Sequence, residues 1–362
     1  MNIKRWLFAI ISFAAAIGVS LYIVLSSWPT EHAAVSMDVG PHGILLAIAL
    51  SELLARGAKV WLSAVAMHIP MTYRLSLRAS AGGDFGAAIT PNKSGAEPAR
   101  YLIMTEAGMQ PAHILVVIYA ELFLEMISLA IFATLLLLVF HNAGSTVIGV
   151  IGAVALYALF VLGTGLLAWI LSTRYVTGSA PPWARRMRLR GARWRRVQHA
   201  LRTLQTAIAG IRHMRVGITV LALLASVLHI ALRVAILPAI VYSLGERHVP
   251  LAPLVLWPVA LMWGSALAPL PGGGGAIEVG FRAALGHAIP ARIFGATLVW
   301  WRFYTFYLFI LLGALAAGGT VLRALRDDDD DREDSDSEDS DDEPADAAPG
   351  IIADGRGRTA IP

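Results

Sequence analysis

Apolar residues fall in long runs separated by polar or Pro/Gly-rich stretches. Runs over 6–27, 113–140, 146–172, 216–243 and 292–319 each reach the roughly 20 residues that a helix needs to cross a bilayer. A run within 43–71 is interrupted by Glu52, Arg56 and Lys59, and a broken apolar segment covers 251–289. The pattern predicts an all-α, polytopic transmembrane helix bundle. Residues 1–326 form the membrane domain, with one half over about 1–172, a basic linker at 173–215 and a second half over 216–326. The first run follows Lys4 and Arg5 and ends at Ser26-Ser27-Trp28-Pro29, without a small-x-small cleavage site; a retained first helix is expected.

Composition agrees with a lipid-solvated chain. It is 57% hydrophobic and only 15% charged, against about 25% charged in soluble domains. There is no cysteine, which excludes a disulfide framework, thiolate metal sites and a cysteine nucleophile. Charge is split along the chain. Residues 1–326 hold 26 Lys+Arg against 10 Asp+Glu, whereas 327–346 hold 14 acidic residues against one arginine. The 327–362 tail is too polar to bury a core and is expected to be disordered.

Loop charge sets orientation. Residues 173–215 carry 11 arginines and no acid, which predicts a cytoplasmic loop in the plasma membrane. Counting back two spans puts the 73–112 connection on the same side, in agreement with Arg74, Arg78, Lys93 and Arg100, and two more place the N-terminus there. The tail is cytoplasmic if 251–289 is re-entrant and external if it crosses once. Within the linker, 185–202 interleaves arginines with Met187, Leu189 and Trp194. This suits a topology anchor or an interfacial helix on anionic headgroups.

Two interruptions echo each other. Pro91, Gly95, Glu97 and Arg100 recur in kind and near-spacing as Pro271, Gly275, Glu278 and Arg282, 180 residues later. Pro and Gly break helices. Broken backbone at membrane depth is tolerated only inside protein or along a wet cavity. Such paired breaks point to a transporter's substrate site between two pseudo-repeated halves, with broken or re-entrant helices. The free amides after each break suit an anion, and Lys93, Glu97, Arg100, Glu278 and Arg282 are costly at that depth. The 272–275 glycine run is not a phosphate-binding P-loop, since no Gly-Lys-Ser/Thr follows.

These residues carry a resemblance to the flippase-like membrane proteins related to the transmembrane region of lysylphosphatidylglycerol synthase. Pro91, Lys93, Gly95, Glu97 and Arg100 resemble the family's Pro-Gly-Arg-x-Gly-Glu…Arg segment. Glu121 and Glu125 resemble its Glu-Arg-x-x-Asp, with Leu122 in place of Arg. Pro269, Pro271, Gly272, Gly273, Gly275 and Glu278, followed by Arg302, resemble its Pro-Gly-Gly-x-Gly-x-x-Glu and later Arg. The similarity spans roughly 1–320. It implies handling of an anionic phospholipid or a polyprenyl-phosphate lipid. No soluble aminoacyl-transfer domain is seen, so lysyl-lipid synthesis by this chain alone is not expected.

The expected activity is therefore lipid translocation. The expected substrate site comprises Lys93, Gly95, Glu97, Arg100, Pro271, Gly272, Gly273, Gly275, Glu278, Arg282 and Arg302, with no cofactor and no metal. Glu121 and Glu125 share a helix face and are expected to form an ion pair, with Arg233 or Arg302 as partner, or a proton site. His68, His113, His229 and His287 lack metal-ligand spacing and read as core or interfacial residues. Trp300, Trp301, Tyr304 and Tyr307 read as an interfacial belt in preference to a sugar platform. The alternative to translocation is a membrane partner subunit of a separate glycosyltransferase or lipid-modifying enzyme.

Overall fold

A computed structural model gives the architecture. It describes residues 37–90, 92–140, 152–160, 181–186, 215–264, 275–317 and 319–320, with isolated positions at 22, 149, 162–163, 166–167, 170, 191, 194–195, 197–199 and 202. Nearly all of the first apolar run, much of 146–172, half of 185–202, Pro91, residues 265–274 and the acidic tail lie outside the described residues. The described residues are helical, with no strand among them.

Eight helices position the site: α1 (Val39–Ala66), α2 (Tyr73–Ile89), α3 (Ala96–Glu106), α4 (Pro111–Val139), α5 (Val216–Ser243), α6 (Leu251–Gly264), α7 (Ala276–Leu285) and α8 (Ala291–Arg302). A π-helical turn, Phe303–Tyr307, carries α8 onward, and the combined helix runs to Ala317. α4, α5 and that last helix are long and apolar enough to cross a membrane. α1 has the length, 28 residues, but carries three buried charges near its middle.

α1 and α5 pack antiparallel. The Arg215 backbone N–H donates to Ala66 O at 3.1 Å and its side chain donates to His68 Nε2 at 3.0 Å. Their midpoints therefore lie side by side at the depth of Glu52, His229 and Arg233. At the same end, Arg78 donates to Ala316 O at 2.9 Å and pairs with Glu106 at 2.7 Å. That end thus gathers the start of α2, the finish of α3 and the finish of the last helix. At the opposite end Glu246, just past α5, pairs with Arg292 at the start of α8.

The 73–112 region is a helical hairpin, α2 and α3, with both feet at the Arg215 end. α6 and α7 are the arms of a second hairpin, with both feet at the Glu246 end and with the connecting residues 265–274 outside the described ones. At 1.5 Å per residue, 17-residue α2 and 14-residue α6 reach ~25 Å and ~21 Å, short of a ~30 Å hydrocarbon core. The hairpins meet at their tips, where Lys93 Nζ donates to Met262 O at 3.3 Å. The last helix returns to the Arg215 end.

Small residues allow the first hairpin to fit. Lipid gives helices no hydrophobic reason to associate, so close van der Waals packing must hold them. α2 reads Ser-Ala-Gly-Gly-Asp-Phe-Gly over 80–86. A Cβ on Gly86 would lie 2.7 Å from the Ala99 methyl, and one on Gly95 would lie 2.6 Å from Gly86 O. The two helices touch backbone to backbone there. Outward, α4 presents Leu122, Leu135 and Leu138 to the surroundings, as a lipid-facing helix should.

Gly86→Leu is expected to destabilise the fold by about 1–3 kcal/mol through overpacking, read as a lower melting temperature in detergent. Gly217→Leu, at a site with open space around the Cβ position, should leave it near wild type. Equal melting of the two variants would contradict the packing account.

Candidate functional site

A cavity of about 370 Å³ lies where the hairpin tips meet α1, α4, α5 and the last helix. Its wall carries six cations, Arg56, Lys59, Lys93, Arg100, Arg233 and Arg302, and four carboxylates, Asp84, Glu97, Glu121 and Glu125. Two more carboxylates, Glu52 and Glu278, are fully buried and pair with wall residues. Among the described residues, six basic side chains thus face six carboxyl groups.

The pairing is close. Arg56 holds Asp84 at two points, 2.7 Å and 2.6 Å. Lys59 sits between Glu125 at 2.5 Å and Glu121 at 3.2 Å. Arg100 reaches Glu121 at 2.6 Å and Glu97 at 3.4 Å. Arg233 approaches Glu52 at 3.4 Å and donates to Thr305 O at 3.0 Å. Arg302 Nε lies 2.8 Å from Glu278 Oε1 and its guanidinium stacks over Phe306 at 4.2 Å. Taking a charge out of water costs several kcal/mol even after relaxation, so each member depends on its partner.

Lys93 is the exception. It has no ion-pair partner among the described residues, and only the Met262 carbonyl receives its ammonium. It also sits on unusual backbone. Asn92 and Lys93 have φ of 54° and 56°, two successive left-handed residues that are not glycine. Such conformations persist where the surroundings impose them, commonly at functional sites. The turn is fixed by Gly95 N–H donating to Thr90 Oγ1 at 2.7 Å and Ala96 N–H donating to Lys93 O at 3.2 Å.

The second tip is built differently. Gly275 has φ of 78°, and its N–H donates to Glu278 Oε2 at 2.7 Å. One carboxylate therefore caps α7 and pairs with Arg302. The π-helical turn after Arg302 is a wider turn of the kind found at functional sites. It brings Arg302, Thr305 and Phe306 to the same cavity.

Among the residues expected from sequence, Lys93, Glu97, Arg100, Glu121, Glu125 and Arg302 line the cavity. Gly95 is at the first tip, and Gly275 and Glu278 are at the second. Pro271, Gly272 and Gly273 lie outside the described residues. Arg282 is on the exposed side of α7 and does not line the cavity. Glu121 and Glu125 pair with Lys59, Arg100 and His229; neither Arg233 nor Arg302 lies within ion-pair distance of them. Trp301 and Tyr304, expected at a membrane interface, are buried in the bundle, with Trp301 against Phe281 at 4.9 Å between ring centres.

Sequence reasoning left Glu52, Arg56, Lys59, Asp84, His229 and Arg233 out of the site. Glu52, Arg56 and Lys59 follow i, i+4, i+7 spacing, one face of a helix, and charges on one face of a spanning helix signal a shared interior partner. His229 carried no such signal. It is 2% exposed, its Nε2 lies 3.1 Å from Glu125, and it belongs to the charged cluster.

Arg56→Met is expected to cost up to about 3 kcal/mol by orphaning the half-buried Asp84, whereas Arg56→Met with Asp84→Leu should recover most of that stability. Thermal unfolding in detergent checks this, and a double variant no more stable than the single would contradict the pairing.

The family described as the lysylphosphatidylglycerol synthase TM region matches residues 7–313. No curated protein matches the chain. The family match covers most of the sequence, including all eight labelled helices, the π-helical turn and both hairpin tips. The chain therefore belongs to the lysylphosphatidylglycerol synthase TM-region family, a family of membrane proteins connected with lipid handling.

Proposed function

We propose that the protein translocates an anionic lipid, a phospholipid or a polyprenyl phosphate, across the plasma membrane. One observation carries this reading: Lys93, a cation without a carboxylate partner among the described residues, points from a strained tip into a cavity where two half-length hairpins meet. A phosphate beside it would give Lys93 the close ion-pair partner that it lacks among the described residues. The cavity suits a headgroup in size. Leu122, exposed toward the surroundings, shares the wall with Phe306 and Ile310, so acyl chains can remain in lipid while the headgroup is inside.

Hairpins entering from opposite ends also fit two inverted, pseudo-repeated halves rocking around a fixed central site. The positive-inside pattern puts the N-terminus, the 173–215 linker and the last helix's end in the cytoplasm. There the arginines of 185–202 would gather anionic lipid. No nucleotide-binding motif is seen in the sequence, so a gradient would drive net movement.

The test is lipid movement in proteoliposomes carrying fluorescent phosphatidylglycerol, a fluorescent zwitterionic lipid or a short polyprenyl phosphate. An anionic lipid should move faster than the zwitterionic one. Lys93→Ala should slow it about tenfold or more, ~1.4 kcal/mol of lost stabilisation. Arg282→Ala, away from the cavity, should stay near wild type. Equal rates for all lipids, or a fully active Lys93→Ala protein, would contradict the reading.

A further inference from the structure

Among the described residues the charge count of the cavity is already closed, with six cations against six carboxylates. An anionic headgroup entering it therefore creates a surplus negative charge inside the membrane, and such a surplus is strongly unfavourable unless a cation accompanies it.

The cluster contains a place for one. His229 lies between two carboxylates, with Nε2 3.1 Å from Glu125 and Nδ1 3.8 Å from Glu52. With Nε2 protonated toward Glu125, Nδ1 turns a lone pair toward Glu52. Neither Nδ1 nor Glu52 Oε2 has a hydrogen-bond partner among the described residues, and both residues are almost completely buried. Nδ1 approaches the Glu52 carboxylate at Oε1, 3.8 Å away, so this one contact pair leaves two buried acceptor atoms, Nδ1 and Oε2, without a donor that an added proton would supply. Buried groups left unsatisfied in this way call for an explanation.

The surroundings connect that gap to the headgroup site. α1 presents Glu52, Arg56 and Lys59 to His229, α4 presents Glu121 and Glu125, and α5 itself supplies Arg233. Arg233 is held by Glu52 at 3.4 Å and shares the cavity wall with Lys93 and Arg302. A proton between His229 and Glu52 weakens the hold of Glu52 on Arg233, leaving that guanidinium free for a phosphate.

We propose that His229 and Glu52 form a proton site coupled to the headgroup site, so that an anionic lipid and a proton occupy the protein together. This rests on the anionic-lipid reading above. The proton comes from the aqueous side, sits on Nδ1 shared with Glu52 Oε1, and leaves when the headgroup leaves. The fixed charge of the cavity then balances both empty and loaded. A proton gradient across the membrane would drive anionic lipid in the direction the protons move.

Calorimetric titration of the full chain in detergent with dihexanoyl phosphatidylglycerol tests this. It is run in two buffers of different ionisation enthalpy, with dihexanoyl phosphatidylcholine as control. Wild type should take up about one proton per bound anionic lipid, so binding should weaken by up to about tenfold per pH unit as pH rises. His229→Asn and Glu52→Gln should bind with proton uptake near zero. A merely structural histidine would change affinity and leave the proton count intact. The pH dependence of wild type tests the coupling by itself, even if a variant fails to fold. Binding by wild type without proton uptake overturns the proton site and leaves the anionic-lipid reading standing. Uptake unchanged in both variants also overturns the assignment to these residues. No binding of the anionic lipid removes both.

Discussion

A charge placed inside a lipid-surrounded protein must find an opposite charge, and most of this structure follows from that requirement. Among the described residues, six basic and six acidic side chains from most of the labelled helices converge on one cavity. Only α3 provides a balanced set, Glu97 and Arg100. α1 brings Glu52, Arg56 and Lys59, while α4 brings two carboxylates with no cation of their own. The helices therefore specify one another's positions through charge as much as through packing. Removing one partner leaves a buried charge uncompensated, which costs far more than an exposed pair ever contributes.

The same requirement explains why broken backbone is found there. A continuous helix satisfies its own amides and carbonyls and offers none to a ligand. The two hairpins stop part-way through the bundle, with Lys93 of the first touching Met262 near the end of α6, and restart at Ala96 and Ala276. Glycine packing makes the first hairpin compact enough to enter, with Gly86 and Gly95 in backbone contact with each other's helices. Left-handed residues then place Lys93 beyond the helix end, where its ammonium faces the cavity. Packing, backbone strain and charge act at one depth.

Much of this was legible in the sequence. The run at 216–243 coincides with a helix, and the runs at 113–140 and 292–319 differ from helices by only a residue or two at each end, because continuous apolarity over that length has few other uses. The Pro/Gly breaks marked both tips for the same reason, since proline and glycine act locally. The helices of the 73–112 hairpin were hidden from hydropathy because α2 is rich in Ser, Ala and Gly and α3 is short and carries charged residues. Their burial comes from tight contact with neighbours, which hydropathy does not record. The partners of Glu121 and Glu125 were also out of reach, since Lys59 and His229 meet them only through the antiparallel packing of α1 and α5. Arg282 shows the opposite error: its spacing after Glu278 matched the first motif, yet it lies on the exposed side of α7.

The central claim is that an anionic headgroup occupies the cavity between the hairpin tips. The chain has no cysteine, so Ala87→Cys introduces a single thiol on the cavity wall. The rate at which a small maleimide labels it can be followed in detergent with phosphatidylglycerol or phosphatidylcholine added. Labelling slowed by the anionic lipid and not by the zwitterionic one is the predicted result; labelling that neither lipid slows, or that both slow alike, would contradict the account.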